Sequence, residues 1–266
     1  MNIFATGTSG TIGRHLQSKV MPITLDLEDL SDIISVNFPK EGHLIHLAGV
    51  VGPAAVLADA QKAYTVNVSA TLELAEVFKT KSQGKFIYVS TSHVYSPTSD
   101  EISETSPVSP PNPYAQQKLE AEVQLNELFM DSPERLCIAR VFSVLDWDVA
   151  PFTLGGGVRK LTHEDSVYTL TNSEDIRDFL TPNRIAQSLL EIAITEKAFG
   201  VLNLCSGTGI SVGDAARKML SESGFLVPEN RIIPGHSSNP VIVGSNSKLR
   251  SILPNLALGW TPSRLN

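Results

Sequence analysis

The run Asn2-Ile-Phe-Ala-Thr-Gly7-Thr-Ser-Gly10-Thr-Ile-Gly13 places three glycines at intervals of three residues, directly after a short apolar stretch. That stretch, Asn2–Thr6, is typical of a buried β-strand, and a helical pattern follows the last glycine. Glycine is needed where a chain turns tightly after a strand and lets a pyrophosphate approach its backbone. The N-terminus of the following helix offers free N–H groups and the positive end of its dipole. The run therefore predicts a dinucleotide-binding turn made by Gly7, Thr8, Ser9, Gly10, Thr11, Ile12 and Gly13.

Outward from this turn, apolar runs alternate with helical patterns, which is typical of a parallel sheet covered by helices on both faces. Further strands are predicted at Pro22–Leu25, Leu44–Leu47, Lys85–Ser90, Leu136–Phe142 and Val201–Cys205. Helices are predicted from the glycine turn to about Lys19, over Ala54–Lys79 with a break near Ala63, and over Tyr114–Phe129, Asn183–Glu196 and Val212–Ser223. The pattern thus indicates an α/β fold with a doubly wound parallel sheet.

Two segments interrupt the alternation. Residues 96–113 are rich in proline and serine and predict an extended loop, and Gly155–Gly157 predicts a flexible turn. The alternation of apolar runs and helical patterns is less regular after residue 145. We expect a dinucleotide-binding domain over 1–150, with 175–206 returning to it, and a small C-terminal substrate-binding lobe over 151–174 and 207–266.

Composition excludes several classes of partner. The chain has 266 residues, 42% of them hydrophobic and 18% charged, with a formal net charge of −7. This charge argues against binding to nucleic acid or to an anionic membrane. Cys137 and Cys205 lie in apolar runs without metal-site spacing, which indicates buried thiols in a reducing compartment and no metal site. Because the sequence shows neither a signal peptide nor a membrane-spanning run, we expect a cytoplasmic protein.

An acidic residue follows the second predicted strand. Asp26 lies 19 residues after Gly7, close to the spacing of about 20 at which an acidic side chain binds the ribose hydroxyls of NAD. The surrounding run ITLDLEDL has no basic residue to receive a 2′-phosphate, which favours NAD, with NADP as the alternative. Because only one strand is predicted between Lys19 and Asp29, Asp26 could instead contact adenine. Arg14 could bind phosphate or be a solvated helix residue.

A phenol and an ammonium group are spaced for one face of a helix. Tyr114 and Lys118 are four residues apart in the predicted helix. An unperturbed tyrosine has a pKa of about 10, and a nearby cation would lower it toward the working range of an acid/base. Thr91 follows a buried strand, at the edge where parallel sheets present residues to a ligand. These three residues form the candidate catalytic set.

Together these motifs resemble the extended short-chain dehydrogenase/reductases, in particular the NAD-dependent epimerase/dehydratase family that acts on nucleotide sugars. The matching segments are Thr6-Gly7-x-x-Gly10-x-x-Gly13, His46-Leu47-Ala48-Gly49, Asn67-Val-Ser-Ala-Thr71, Ser90-Thr91-Ser92-His93-Val94-Tyr95, Pro113-Tyr114-x-x-x-Lys118, Arg177-Asp178-Phe179 and Leu258-Gly259-Trp260-Thr261-Pro262. The resemblance implies a Rossmann-type fold.

The resemblance also implies roles for individual residues. Tyr114 would be the general acid/base, Thr91 would hydrogen-bond the reacting oxygen, and Lys118 would tune Tyr114 and bind the nicotinamide ribose. Leu47, Ala48, Gly49 and Asn67 would belong to the cofactor cleft, although Asn67 could equally be a cap or a buried polar contact.

Three residues are candidates for substrate binding. Arg177 would reach a substrate diphosphate, or could pair with Asp175 or Asp178. Ser143 begins the run SVLDW, which stands where the family has Asn-x-x-Gly-Pro, so this contact is altered. His93 could transfer a proton near a sugar ketone, or be a packed polar residue.

One departure from the family pattern bears on the reaction. The acidic pair that 4,6-dehydratases carry after the active threonine is replaced by Ser92 and His93, which disfavours dehydration. The sequence therefore favours a nucleotide-sugar 4-ketoreductase. A 4-epimerase with recycled NAD, a reductase of other ketones and a non-catalytic dinucleotide sensor are the alternatives. The resemblance further implies a homodimer formed through the helices near Asn67–Lys79 and Tyr114–Phe129.

Overall fold

The computed structural model of the chain describes residues 2–96, 98, 100–147, 149, 153–163, 167–170, 172–223, 232–234 and 240–260. Thr261 and Pro262, which belong to the last matching motif, lie outside the described residues. The strands are β1 (Ile3–Thr6), β2 (Met21–Pro22), β3 (His43–His46), β4 (Phe86–Thr91), β5 (Leu136–Val141), β6 (Ser143–Val144), β7 (Tyr168–Leu170), β8 (Ile176–Leu180), β9 (Gly200–Leu204), β10 (Gly209–Ser211), β11 (Ile232–Pro234) and β12 (Val241–Ile242).

The α-helices lie mostly between the strands of the main sheet. They are α1 (Leu30–Ser35), α2 (Pro53–Ala58), α3 (Ala60–Tyr64), α4 (Ala70–Lys81), α5 (Pro113–Leu128), α6 (Leu154–His163), α7 (Pro182–Ile194), α8 (Val212–Ser223) and α9 (Ser247–Ile252). A π-helical turn, Thr65–Ser69, joins α3 to α4.

The main sheet has six parallel strands in the order β2-β1-β3-β4-β5-β9. The chain leaves β1 for β2 on one side and later returns to place β3 on the other side. This order creates a topological switch point at the carboxyl ends of β1 and β3, where open α/β sheets bind ligands. The predicted Rossmann-type doubly wound fold is confirmed.

Apolar side chains cover both faces of this sheet. On one face, Ile45, Ile87 and Leu202 pack against the buried side of α7, including Leu189. On the other face, Leu44, Phe86, Tyr88 and Ile138 pack against α4 and α5 through side chains such as Phe78 and Leu125. Successive strand residues alternate between the two faces, so strands covered on both sides are apolar almost throughout.

The prediction of an α-helix after the glycine turn is wrong. The chain there forms only a 3₁₀ turn, Gly13–His15, flanked by other turns. Tight bonds from Leu16 N–H to Gly13 C=O and from Lys19 N–H to Leu16 C=O close these turns. The segment Arg14–Lys19 contains neither glycine nor proline, so the absence of the helix does not follow from helix propensity.

The expected turn at Gly155–Gly157 is also wrong, because these residues lie in the first turns of α6. A Cβ at Gly155 would lie 2.1 Å from the Asp146 carbonyl oxygen, and one at Gly157 would lie 2.3 Å from Cζ of Tyr168. The glycines therefore permit close packing of a helix, which local propensity does not reveal. In contrast, the long helix predicted over Ala54–Lys79 is broken, as expected, although into more pieces.

A second, smaller sheet has the order β10-β8-β12, and β6 also pairs with β8. We expected residues 175–206 to belong to the dinucleotide-binding domain. The first part of this range, β8, lies in the second sheet instead, so the chain returns to the main sheet only from α7 onward. The apolar cluster of the second sheet includes Leu145, Trp147, Phe179 and Met219. Among the described helices, none combines the length and apolar character needed to cross a membrane.

Candidate active site

The glycine turn borders a cavity of about 750 Å³ at the switch point of the main sheet. Its wall consists of the turn itself, the segment after β2, the segment after β3 and residues that precede α6. The residues of the turn and of the segment after β3 that line it are Thr6, Gly7, Thr8, Ser9, Gly10, Thr11, Ile12, Gly13, Leu47, Ala48 and Gly49. Thus the residues predicted from the glycine motif and from the end of β3 border one cavity.

Two of the glycines are required by close contacts. Gly7 has a φ of 66°, and a Cβ there would lie 2.6 Å from the Ala48 nitrogen. A Cβ at Gly13 would lie 2.1 Å from the Gly7 carbonyl oxygen. Any larger residue would have to push these backbone segments apart. The resulting cradle, whose three glycines lie open to the cavity, fits a dinucleotide pyrophosphate.

Asp26 does not line this cavity, whereas Ile23, Thr24, Leu25 and Leu27 do. The Asp26 side chain is exposed, and its carboxylate accepts a hydrogen bond from the Glu28 N–H at 2.9 Å. Its neighbours Leu25 and Leu27 line the cavity, whereas the Asp26 side chain between them is exposed to solvent. The structure therefore does not bring the predicted ribose ligand into the cleft.

A second cavity of about 610 Å³ adjoins the first, and the two share Ile12, Leu47, Gly49, Val51, Val144 and Thr153. The predicted catalytic and substrate residues that line it are Asn67, Thr91, His93, Tyr114, Lys118, Ser143 and Arg177. These residues come from both halves of the chain. The structure thus brings the predicted reacting groups together next to the glycine cradle.

Local structure fixes the direction of Tyr114. The helix α5 begins at Pro113, and Asn112 caps it by accepting the Ala115 N–H at 3.0 Å. Proline at the first helical position and asparagine at the cap both favour a helix start at this point. Tyr114 is therefore held in the first turn, where its ring points into the cleft.

Burial dominates the acidity of the Tyr114 phenol. The side chain is 9% exposed, and burial raises its pKa to about 12 even though a hydrogen bond with Thr91 acts in the opposite direction. The expected lowering by Lys118 is not seen, since burial raises the pKa and the hydrogen bond with Thr91 is what opposes the shift. In the structure Tyr114 is thus a protonated phenol with a hydroxyl partner from the end of β4.

Lys118 lies one helical turn further along, and it is also buried. Its Nζ lies 4.1 Å from the centroid of the Tyr88 ring, in the geometry of a cation–π contact. Burial lowers the pKa of this ammonium group to about 7, and the charge of Glu122 partly opposes the shift. Lys118 is therefore a cation whose charge responds to small changes near neutral pH.

His93 and Arg177 also line the second cavity. The imidazole of His93 stands edge-on to the Tyr114 ring, with the ring centroids 6.5 Å apart. Burial and the Arg177 charge lower the pKa of His93, so this histidine is neutral at physiological pH. A neutral imidazole beside the phenol can accept or donate a hydrogen bond.

Arg177 is partly committed to structural contacts. It forms an ion pair with Asp175 at 2.8 Å, as one sequence interpretation allowed, and donates to the carbonyls of Ile176 and Pro240. Three of the five guanidinium N–H groups are therefore used within the described residues. The other two leave Arg177 able to bind an anion in the cleft.

Asn67 clamps the loop after β3. Its Oδ1 accepts the Val50 N–H at 2.8 Å, and its Nδ2 donates to the Val50 carbonyl and to Oε1 of Gln117. These bonds tie the cofactor-side loop to α5, and the side chain is 2% exposed. Asn67 thus combines the structural and the cleft-lining roles considered from the sequence.

Several lining residues were not identified from the sequence. Thr24 borders the first cavity, Thr153 borders both, and Tyr168 and Asn172 border the second. None of them belongs to a motif with recognisable spacing, since Tyr168 and Asn172 come from short segments in the second half of the chain. In the described part of the chain, no cluster of three or more histidine, cysteine or acidic residues could hold a metal ion.

Comparison with known proteins agrees with this geometry. A model of the "NAD dependent epimerase/dehydratase family" matches residues 18–196. GDP-6-deoxy-D-mannose reductase from Pseudomonas aeruginosa is 27% identical over 230 residues, which are 77% of this chain and 74% of that protein.

Solved structures share the fold. RMD from Pseudomonas aeruginosa, complexed with NADPH, has a TM-score of 0.86 at 22% identity, covering 98% of this chain and 93% of the other. UDP-glucose 4-epimerase from Thermus thermophilus, in complex with NAD, has a TM-score of 0.81 at 19% identity, covering 98% and 95%.

Proposed function

The chain belongs to the NAD-dependent epimerase/dehydratase family, and from that premise we propose that it is a nucleotide-sugar 4-ketoreductase using Tyr114 as its proton donor. One observation carries this proposal. Thr91, Tyr114 and Lys118 line a cavity that adjoins the glycine cradle, so a nicotinamide ring and a sugar could meet beside the phenol. A non-catalytic dinucleotide sensor would not need this set.

The glycine turn would hold the pyrophosphate of the dinucleotide, and Lys118 would hold the nicotinamide ribose. A bound reduced dinucleotide would supply the hydride for the C4 carbonyl of the sugar. Tyr114 would then donate its phenolic proton to the carbonyl oxygen as negative charge develops there. The Thr91 hydroxyl would donate a hydrogen bond to the same oxygen and keep it in line.

The raised pKa of Tyr114 supports the reductive direction. A phenol that is protonated over the whole physiological range is ready to act as an acid. An oxidative first step, as in an epimerase, requires a phenolate instead. The similarity to a GDP-sugar reductase over 77% of the chain supports the same direction.

The substrate would occupy the second cavity. The two remaining N–H groups of Arg177 would bind the diphosphate, and the Ser143 hydroxyl would contact the substrate. His93 would hydrogen-bond a sugar hydroxyl or the reacting region. Asp26 lies outside the first cavity, and none of the described residues that line the cavity is acidic and would repel a 2′-phosphate, so we propose that both NADH and NADPH are accepted.

The experiment follows the consumption of NADH and NADPH when GDP- and UDP-linked 4-keto-6-deoxyhexoses are added to the purified protein. We expect stoichiometric oxidation with a nucleotide-linked keto sugar and none with the corresponding 4-hydroxy sugars. Interconversion of 4-hydroxy epimers without net dinucleotide consumption would identify an epimerase and overturn the reductase proposal. Reduction only of ketones without a nucleotide would overturn the substrate class.

Arg177 can be tested separately. We expect Arg177→Ala to raise the KM of a nucleotide sugar, while a truncated keto sugar without the diphosphate reacts equally with both proteins. Since the substitution also removes the ion pair with Asp175, the Asp175→Asn variant is the control for loss of this pair. Equal KM values for Arg177→Ala and the wild type would remove Arg177 from the site.

A further inference from the structure

A buried carboxylate lies one helical turn from Lys118 on α5. Glu122 follows Lys118 by four residues in α5, so the two side chains share one face of the helix. Glu122 is only 2% exposed, and nothing in the motif considered above includes it. A buried carboxylate is costly unless its charge is paired, and its position next to a catalytic lysine calls for an explanation.

The sheet holds this carboxylate on two sides. Arg140 donates to it from β5, with an Nη2–Oε2 distance of 2.5 Å and Nε at 3.1 Å from the same oxygen. The Ser90 hydroxyl donates to Oε1 from β4. Ser90 and Arg140 are register partners on neighbouring strands, and Ser90 immediately precedes Thr91. The carboxylate is therefore fixed relative to the strand that carries the reacting hydroxyl.

The surroundings of Lys118 explain why this carboxylate matters. The titratable groups on the elements around Lys118 are Tyr88, Tyr114, His46, His93, Glu122 and Arg140. The tyrosines are protonated, and burial lowers the pKa of His46 to about 3, so that this imidazole is neutral. Within the described part of the chain, Glu122 is the member of this group that carries a negative charge.

We propose that Glu122 is a positioning residue for Lys118: clamped by Arg140 and Ser90, its carboxylate keeps the buried ammonium group charged and directed toward the dinucleotide ribose and Tyr114. This inference rests on the proposed contact of Lys118 with the dinucleotide, and it is independent of which substrate the enzyme reduces. Without Glu122, burial favours the neutral amine, which cannot stabilise a phenolate.

A purely structural role for Glu122 makes a different prediction. If the ion pair only ties α5 to β4 and β5, then removing one partner should destabilise the fold, and removing both should restore it. Buried ion pairs can often be replaced by apolar residues of similar size with little loss of stability. The double variant Glu122→Gln/Arg140→Met therefore separates the two roles.

The experiment measures NADH and NADPH binding by fluorescence as a function of pH, together with urea unfolding, and needs no substrate. For the wild type, we expect affinity to fall as the pH rises through about 7, where Lys118 loses its proton. In Glu122→Gln, this fall should begin at least one pH unit lower, which gives about tenfold weaker binding at higher pH. In the double variant, which also removes the positive charge of Arg140, the fall should be shifted less but should still begin below the wild-type pH. The double variant should regain the stability lost in Glu122→Gln.

Two controls make the result specific. Glu120→Gln removes the same charge from α5 at a site that bonds Tyr64 instead, and should bind like the wild type. In the Lys118→Met background, adding Glu122→Gln should not change the pH profile, because the responding group is absent. A double variant with the wild-type pH profile, or an unchanged profile in Glu122→Gln, would overturn the proposal. A failure of the ketoreductase assay would leave this binding result unaffected.

Discussion

Tyr114 keeps its proton because its side chain is buried, and this property shapes the chemistry available to the site. Burial raises its pKa to about 12, whereas burial of the neighbouring Lys118 lowers the pKa of the ammonium group to about 7. The two shifts have one cause, since a low-dielectric surrounding disfavours the charged form of each group. Any cation brought near the phenol would lower its pKa again and ease proton transfer.

The first prediction at this scale concerns Tyr114 itself. In Tyr114→Phe, we expect kcat to fall by about 10²–10⁴-fold, because the general acid is lost while the ring still fills the pocket. Dinucleotide affinity, measured by fluorescence titration, should stay close to that of the wild type. Tyr64→Phe is the matched control, since the Tyr64 hydroxyl bonds only Glu120 in the described structure. A Tyr114→Phe enzyme with the wild-type kcat would assign the proton to another group.

A second prediction concerns His46, which is 1% exposed between the hydroxyls of Thr6 and Thr71. Burial lowers its pKa from 6.5 to about 3. Below pH 6.5 the unfolded chain therefore binds a proton that the folded chain does not bind, and stability falls as the pH decreases. The contribution lost is about 1.4 kcal/mol per pH unit, continuing toward pH 3.

Urea unfolding of the wild type and His46→Gln at a series of pH values tests this. Below pH 6.5, the difference in their free energies of unfolding should shrink with the stated slope as the pH falls. A difference that does not depend on pH would show that His46 does not titrate on unfolding.

Residues in motifs with fixed spacing could be placed from the sequence, and isolated residues could not. Tyr114 and Lys118 are joined by one helical turn, so their spacing alone puts them on one face. The position of Asp26 depended on how far β2 extends, and that strand ends four residues earlier than the carboxylate. Arg177 donates a hydrogen bond to the carbonyl of Pro240, which lies 63 residues further along the chain, and no local sequence pattern predicts such a contact.

At the scale of elements, the glycine turn is a close fit between two backbone segments. We predict that Gly13→Ala weakens dinucleotide binding by about 10- to 100-fold, because the overpacking of its Cβ against the Gly7 oxygen costs roughly 1–3 kcal/mol and distorts the cradle. Gly259→Ala is the control, since a Cβ there meets nothing within 4 Å. Isothermal titration gives both affinities, and equal values would show that the turn can relax without cost.

Glycine lies in a turn in one element and in a helix in another, so glycine alone did not predict the local structure. At Gly7 and Gly13 it marked a turn, as predicted, although the expected α-helix after the turn did not form. At Gly155 and Gly157 it marked a helix that packs against a carbonyl and an aromatic ring. Tertiary packing decides whether such a glycine lies in a turn or in a helix, and local helix propensity contains no information about tertiary packing.

At the scale of the whole molecule, the sheet order explains why motifs from distant parts of the chain meet. The ends of β1 and β3 open onto the first cavity and those of β4 and β5 onto the second. The main sheet was predictable, because its buried strands are apolar runs between helices. The second sheet was not, since its strands have two to five residues and pair across large sequence distances.

The outer surface of α5 bears on the proposed homodimer. Val123 is 50% exposed in the middle of this helix, and Met130, just beyond its end, is 81% exposed. The neighbouring α4 packs beside α5, so the two helices offer one continuous face opposite the sheet. We propose that a second copy covers this face through a two-fold contact, in which each substitution acts twice.

We therefore predict that the wild type is a dimer by light scattering and that Val123→Arg is a monomer. An unpaired guanidinium in an apolar contact costs several kcal/mol, and the two-fold axis brings two such charges together. Ile194→Arg is the matched control, because Ile194 is 46% exposed at the end of α7 on the other side of the sheet. A monomeric wild type, or a dimeric Val123→Arg, would show that the copies do not meet here. Because Tyr114 and Val123 lie on opposite faces of α5, a monomeric variant that retains dinucleotide binding would also show that the cleft is complete within one chain.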